Sequence, residues 1–221
     1  MVFGINVHIL ICFNFRLYYH LFHKAYGPAE VLFPAIKQHV ETLNTEMRSV
    51  VASLNCQENT DENFIAVTDS DESIAIAICT PLMKRVHRII SHSSEMVFID
   101  AGGHMDRGNT RVFLLLTHSA AGGLPIGVLF VSNERSKTLA SALRLLLSLL
   151  DGECFGGRGK KGPQLFMTDD STAERNALQE VFPDCTMLLC AFHILQAFWR
   201  VLLNAKSGVV VIVFVEVLFE Q

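Results

Sequence analysis

Hydrophobic and polar positions change period several times along the chain, and each change marks an element. Residues 73–79 alternate isoleucine with alanine, as a half-buried strand does, and Pro81 then opens a basic helical turn through Lys84, Arg85, His87 and Arg88. Three apolar runs follow at 96–100 (MVFID), 111–117 (RVFLLLT) and 125–132 (PIGVLFVS), separated by glycine-bearing turns. Leu139, Leu143, Leu146, Leu147 and Leu150 then recur at the spacing of an amphipathic helix. The basic loop at 156–162 (GGRGKKG) reads as flexible. After it come a strand at 164–168, a helix opened by the capping box Ser171-Thr172-Ala173-Glu174 and ended by Pro183, and a strand at 186–189. Phe192, Leu195, Trp199 and Leu202 place a stripe on a last helix. Three sequential strands followed by alternating helices and strands predict an α/β fold, a mixed sheet flanked by helices.

The amino-terminal third is less regular. Residues 24–49 are helix-prone, whereas 55–72 collect Glu58, Asp61, Glu62, Asp69, Asp71 and Glu72, which points to a solvated loop or boundary. Composition adds exclusions. With 221 residues, half of them hydrophobic, the chain can build one core, and collagenous or wholly disordered classes are excluded. The uncharged run 112–133 is long enough to cross a bilayer, but Gly122, Gly123 and Pro125 divide it, so two strands and a turn are expected. Residues 1–15 lack a basic region and a small-residue cleavage site, and Glu216 interrupts the short apolar run 209–219; no membrane partner is expected. Six scattered cysteines suit free thiols in a reducing compartment. The net charge of -4 offers no global attraction for nucleic acid, so any DNA contact needs a local basic patch.

Chemistry is most legible where strands end in acids. Asp100 closes the first strand of the informative half and Asp169 closes the fourth, so neighbouring strands would bring two hard oxygen donors together, suited to divalent metal. The plain alternative is that each aspartate only terminates a strand or caps a helix. Asp170 has the stronger capping role, and Asp106 serves its glycine-rich turn. Cys190 and His193, at i and i+3, share one helical face; a buried thiol and a satisfied histidine is the competing reading. Structural zinc wants four ligands, and the nearest extra candidate is Cys185. Gly157, Gly159 and Gly162 spell G-x-G-x-x-G, but the loop follows a helix and precedes Pro163, which excludes a dinucleotide fingerprint, and Lys160-Lys161-Gly162 fails the P-loop pattern. Arg158, Lys160 and Lys161 are left as phosphate contacts or a solvated turn.

The run VFIDAGGHMDRGNTRVFLLLTHSAAGGLPIGVLF, the later FGGRGKKGPQLFMTDDSTAERNAL and LLCAFHILQAFWR together resemble the transposase domain of Mutator-like elements, over roughly 78–200. The upstream TPLMKRVH is similar to sequence preceding that domain in animal members. The resemblance implies a ribonuclease H-like fold and a DDE-type recombinase in which three carboxylates hold two Mg²⁺ or Mn²⁺ ions. Asp100 matches the first catalytic aspartate, Asp169 the second, and Cys190 with His193 the family's C-x-x-H pair, where zinc is a weaker option. The implied chemistry is cleavage at an element end followed by attack of the freed 3′ hydroxyl on target DNA, in the nucleus, with a homo-oligomer as an open option.

The chain departs from that pattern after Arg200. The family's third carboxylate, a glutamate, lies on a later helix beyond a helical insertion, and AKSGVVVIVFVEVLFEQ does not resemble that continuation; Glu216 and Glu220 sit in the wrong context for it. The expected organisation is therefore an N-terminal extension at 1–77, an incomplete transposase-like domain at 78–200 and an unrelated tail at 201–221. Catalysis is expected to be defective. Two alternatives stand beside it: a domesticated, non-catalytic DNA-binding or regulatory protein, and an α/β interaction or small-ligand domain with structural aspartates.

Overall fold

The computed structural model describes residues 32–53, 62–70, 73–102, 110–120 and 122–204. Residues 1–31 and 205–221, with Glu216 and Glu220, and the turn at 103–109, with Asp106, lie outside the described residues. The elements are α1 (Leu32–Ser53), β1 (Ile65–Ser70), β2 (Ser73–Ile78), α2 (Pro81–Ile89), α3 (His92–Glu95), β3 (Met96–Gly102), β4 (Arg111–Ser119) and β5 (Gly122–Val131). There follow α4 (Ser136–Ser148), a kinked turn α5 (Cys154–Gly157), a 3₁₀ turn at Gly159–Lys161, β6 (Leu165–Thr168), α6 (Thr172–Val181), β7 (Thr186–Leu189) and α7 (Ala191–Leu203).

Seven strands form one sheet in the order β1-β2-β5-β4-β3-β6-β7. The meander β3-β4-β5 is antiparallel, while β6 and β7 add to β3 in parallel, as the change from hairpin to helical connections requires. This is the mixed, helix-flanked sheet the periodicity predicts, and it is consistent with a ribonuclease H-like fold. The β1-β2 hairpin extends the sheet past β5, with Ala77 paired to Leu129, so the sheet runs through residue 77 without a break. The acidic composition around 55–72 conceals β1: Ile65 faces the core while Asp69 and Ser70 are exposed.

Both faces are covered. On one, Met83 and Val86 of α2, Leu139, Leu143 and Leu146 of α4, and Ala177 and Leu178 of α6 pack with Ala75, Ala77, Val97, Ile99, Leu115 and Phe166. Burial of the larger of these side chains contributes roughly 1.5–3 kcal/mol each. On the other face, Val40, Leu43 and Met47 of α1 meet Ile65, Ile76 and Phe130. Buried Asn44 fastens that helix, accepting from the backbone N–H groups of Phe64 and Ile65 and donating to the Ile65 carbonyl.

Two details add to the sequence reading. The helical turn from Pro81 is capped by Thr80, but two of its basic residues face inward: Lys84 is buried, pairs with Glu62 at 2.7 Å and lies over the Phe64 ring, and His87 is a core residue. The basic loop is also not a loose tether. Its glycines take left-handed angles, and Gly162 at φ 75° packs so closely that a Cβ there would lie 2.4 Å from the Phe182 ring. Gly162→Ala therefore meets both backbone strain and a clash, and is expected to destabilise the protein by about 2–3 kcal/mol in urea unfolding. A neutral result would mean that Phe182 is free to give way.

Candidate cation site

Parallel pairing of β3 with β6 sets the site. Phe98 stands opposite Met167 in the register, and two further residues along each strand stand Asp100 and Asp169. Neighbouring strands run about 4.8 Å apart, so the two backbones are close where the acids emerge. Alternation puts both on the same side: Val97, Ile99 and Phe166 enter the core, whereas Phe98 and Asp100, with Met167 and Asp169, belong to the opposite face. Cys190 follows directly on β7, its backbone N–H donating to the Thr168 carbonyl, and α7 starts there. Asp100, Asp169 and Cys190 thus sit at the carboxyl ends of three adjacent parallel strands, where open α/β sheets bind ligands.

His193 comes from the first turn of α7 and places its Nε2 3.6 Å from Asp100 Oδ1, an ion-pair distance when the imidazole is protonated. Both side chains are largely buried. The histidine of the C-x-x-H pair therefore meets the first aspartate, and the pair spans two strand ends. Cys185 is turned elsewhere: its Sγ donates to the Pro163 carbonyl at 2.7 Å, and burial pushes the thiol up to about 11, so it holds its proton. Cys79 and Cys154 are buried neutral thiols as well, with pKa values of about 12 and about 11 raised by desolvation.

The capping box at α6 is half made. Ser171 Oγ accepts from the Glu174 backbone N–H at 3.3 Å, but the Ser171 N–H donates to Asp169 Oδ1 at 2.7 Å, not to Glu174. Asp169 sits one turn ahead of the glutamate and takes its partner. Glu174 is left 1% exposed, with neither carboxylate oxygen in a hydrogen bond of ordinary geometry. Burial pushes it up to about 9, the fields of Asp169 and Asp100 push the same way, and the nearby Asp169 N–H opposes them. Sequence reasoning missed this group because S-x-x-E is the spacing of a completed box; the competing acceptor two residues ahead of Ser171 was the available signal.

Two other groups lie at the far end of the sheet. Arg158, Lys160 and Lys161 precede β6, whose far end carries Asp169, so about five residues of extended chain, roughly 17 Å, separate the basic loop from the acids. Arg158 donates to the Gly162 carbonyl and braces the loop, while Lys160 and Lys161 are exposed. His92, Glu95 and His118, beside the start of β3, bring three potential ligand atoms within 4.8 Å of one another, with the two imidazoles stacked at 4.3 Å. Among the described residues Cys190 and His193 gain no third metal-ligating neighbour of that kind.

Acids at the carboxyl ends of β3 and β6, on a sheet of antiparallel meander plus parallel strands, define an α/β domain of ribonuclease H-like arrangement. Residues 105–197 match the family model of the MULE transposase domain, so the resemblance to Mutator-like transposases holds over that segment. Asp169, Cys190 and His193 fall inside the match, and Asp100 just precedes it. In a comparison with curated proteins, nothing matches.

Proposed function

We propose that this domain acts on DNA through a divalent-cation site at Asp100 and Asp169, in the nucleus, and that its ancestral reaction is phosphodiester cleavage followed by strand transfer. The observation that carries this reading is the adjacency of Asp100 and Asp169 on neighbouring parallel strands of a domain that resembles Mutator-like transposases. The donor set fits Mg²⁺ or Mn²⁺, because carboxylates are hard oxygen ligands, and the field of both aspartates reaches buried Glu174, whose oxygens have no protein donor of good geometry. A bound divalent ion would polarise a phosphate oxygen and lower the pKa of an attacking water. The side chains have separate tasks. Asp100 and Asp169 hold the ion, and His193 orients Asp100 from α7.

Among the described residues no carboxylate follows Asp184, and the acid that the family supplies from a later helix is not among them. We propose that residues 78–200 bind DNA but do not complete strand transfer without such an acid, which keeps the regulatory alternative in view. In this reading Lys160 and Lys161 contact the DNA backbone.

Duplex DNA retention on a salt gradient tests the interface. The wild-type protein is expected to bind weakly, with affinity falling steeply as salt rises, and Lys160→Ala/Lys161→Ala is expected to lower the slope of log affinity against log salt by about two. Arg158→Ala is expected to weaken folding as well, because it removes the loop's brace. Unchanged DNA binding in the double lysine variant would remove the loop from the interface. Metal-dependent nicking of supercoiled DNA by the wild type, lost in Asp100→Ala, would refute the non-cleaving part.

A further inference from the structure

We propose that His92, Glu95 and His118 form a zinc site of two imidazoles and one carboxylate, where α3 meets the end of β4. The site is separate from Asp100 and Asp169 and does not rest on the reading of those acids. Leu114 is the register partner of Asp100, and His118 lies four residues further along β4, roughly 13 Å away toward the other end of the sheet. His193, beside Asp100, belongs to that distant end as well.

Local structure brings the three donors together. His92 and Glu95 stand at i and i+3 of the single turn α3, so they share one side of it, and His92 Nδ1 is 3.1 Å from Glu95 Oε2. β4 runs antiparallel to β3, and the pairing of Val97 with Thr117 sets His118 level with Met96, the residue after Glu95. On its other side His118 stands opposite Gly123 of β5, which has no side chain to fill the space. The imidazoles of His92 and His118 stack with centroids 4.3 Å apart, and one ligand atom from each of the three residues lies within 4.8 Å of the other two.

The frame beneath the donors is fixed. Buried Ser93, between the two α3 donors, gives its hydroxyl to the His87 and Ile90 carbonyls at 3.2 and 2.7 Å. The Ser94 carbonyl accepts from the Gln164 N–H, and Thr117 Oγ1 donates to the Met96 carbonyl at 3.2 Å. The His92 and Glu95 side chains themselves are 44% and 53% exposed and have room to turn. Tetrahedral zinc holds such ligands about 2.0–2.1 Å away, which puts them about 3.3 Å from one another. His92 and Glu95 already have that spacing, and side-chain rotation closes the rest.

An exposed histidine–glutamate ion pair would be the plain account of His92 and Glu95, and such pairs stabilise little. It leaves His118 unexplained, because the His118 Nδ1 is buried and makes no hydrogen bond. Zinc accepts neutral imidazole nitrogen and carboxylate oxygen in one shell, whereas an all-carboxylate set suits Mg²⁺ or Mn²⁺. Three protein ligands leave a fourth position for water. A groove of about 480 Å³ lined by Ile89, Ile90, His92, Ser119 and Leu124 gives water a path to it.

Calorimetric titration of the full 221-residue protein with Zn²⁺ alone, with thermal melting alongside, tests the assignment. Saturable Zn²⁺ binding and a raised melting temperature are expected in the wild type. His92→Ala, Glu95→Gln and His118→Ala are each expected to weaken that binding by roughly tenfold or more. His92 and Glu95 are the more exposed positions, so their variants keep the test readable if His118→Ala folds poorly. Cys190→Ser and Asp100→Asn are expected to leave the Zn²⁺ affinity unchanged. The Co²⁺-loaded protein is expected to show visible d–d bands without a thiolate-to-cobalt charge-transfer band, as nitrogen and oxygen donors require. Unchanged Zn²⁺ affinity in His92→Ala and Glu95→Gln, affinity lost instead in Cys190→Ser, or no saturable Zn²⁺ binding by the wild type would overturn the site and leave the aspartate reading standing.

Discussion

Replacing His87 with alanine is expected to cost about 4 kcal/mol of folding stability, one of the largest single-residue losses in the protein. His87 lies in the core at 1% exposure and uses both ring nitrogens. Its Nε2 is 2.9 Å from the Ile126 carbonyl, and its Nδ1 accepts from the Phe155 N–H at 3.3 Å, which fixes the neutral Nε2–H tautomer. Each partner is itself unusual. Ile126 is the extra residue of a bulge where β4 and β5 change register, so the sheet does not use its carbonyl in the regular way. Phe155 holds a left-handed backbone at φ 51°, a conformation that costs an aromatic residue about 1–2 kcal/mol. The strain persists because the ring is fully buried, edge-on to His87 at 4.6 Å and near Phe182.

The same histidine gives the fold an acid limit. Burial, the leading cause, lowers its pKa from 6.5 to about 4, against the opposing Ile126 hydrogen bond. In the unfolded chain it takes up a proton near pH 6.5, so the unfolded state binds more protons between pH 6.5 and pH 4 and is favoured as pH falls through that window. The contribution is complete above pH 6.5 and its loss approaches about 3 kcal/mol by pH 4. Urea unfolding at stepped pH is expected to show this decline in the wild type and to lose that component in His87→Gln. A slope unchanged in the variant would mean that His87 is protonated inside the fold.

Asp169→Asn is expected to reduce divalent-cation affinity about 100-fold, some 2.7 kcal/mol, with little loss of fold. The asparagine Oδ1 can still accept from the Ser171 N–H, so the start of α6 survives while the charge goes. Asp169→Ala removes the acceptor as well, and a further loss of about 1 kcal/mol in stability is expected. Comparing the two by Mn²⁺ calorimetry and urea unfolding separates the aspartate's two tasks. If asparagine matched wild type in metal affinity, Asp169 would be a helix cap and nothing more.

Strand ends were the most readable part of the site. MVFID and FMTD each bring an apolar run to an acid, and an α/β order with β6 beside β3 then places Asp100 and Asp169 together. Glu174 was concealed because its spacing from Ser171 satisfies a local rule, and sequence does not show which of two acids wins one backbone N–H. The glycines of 156–162 suggested looseness by composition, yet Gly156, Gly159 and Gly162 combine positive φ angles with close neighbours. Ile65 to Ser70 was obscured for a different reason: acids flank a strand whose inward residues are few. On α7 the helical period was legible, but period does not name a partner, and Leu195 and Trp199 are both more than half exposed.

The central claim is that Asp100 and Asp169 hold a divalent ion at the carboxyl ends of β3 and β6. Anomalous diffraction from crystals grown with Mn²⁺ tests it most directly. The account predicts a manganese peak about 2.1–2.2 Å from carboxylate oxygens of both aspartates. Aspartates with no peak between them, with manganese only at His92, Glu95 and His118 or nowhere on the chain, would contradict it.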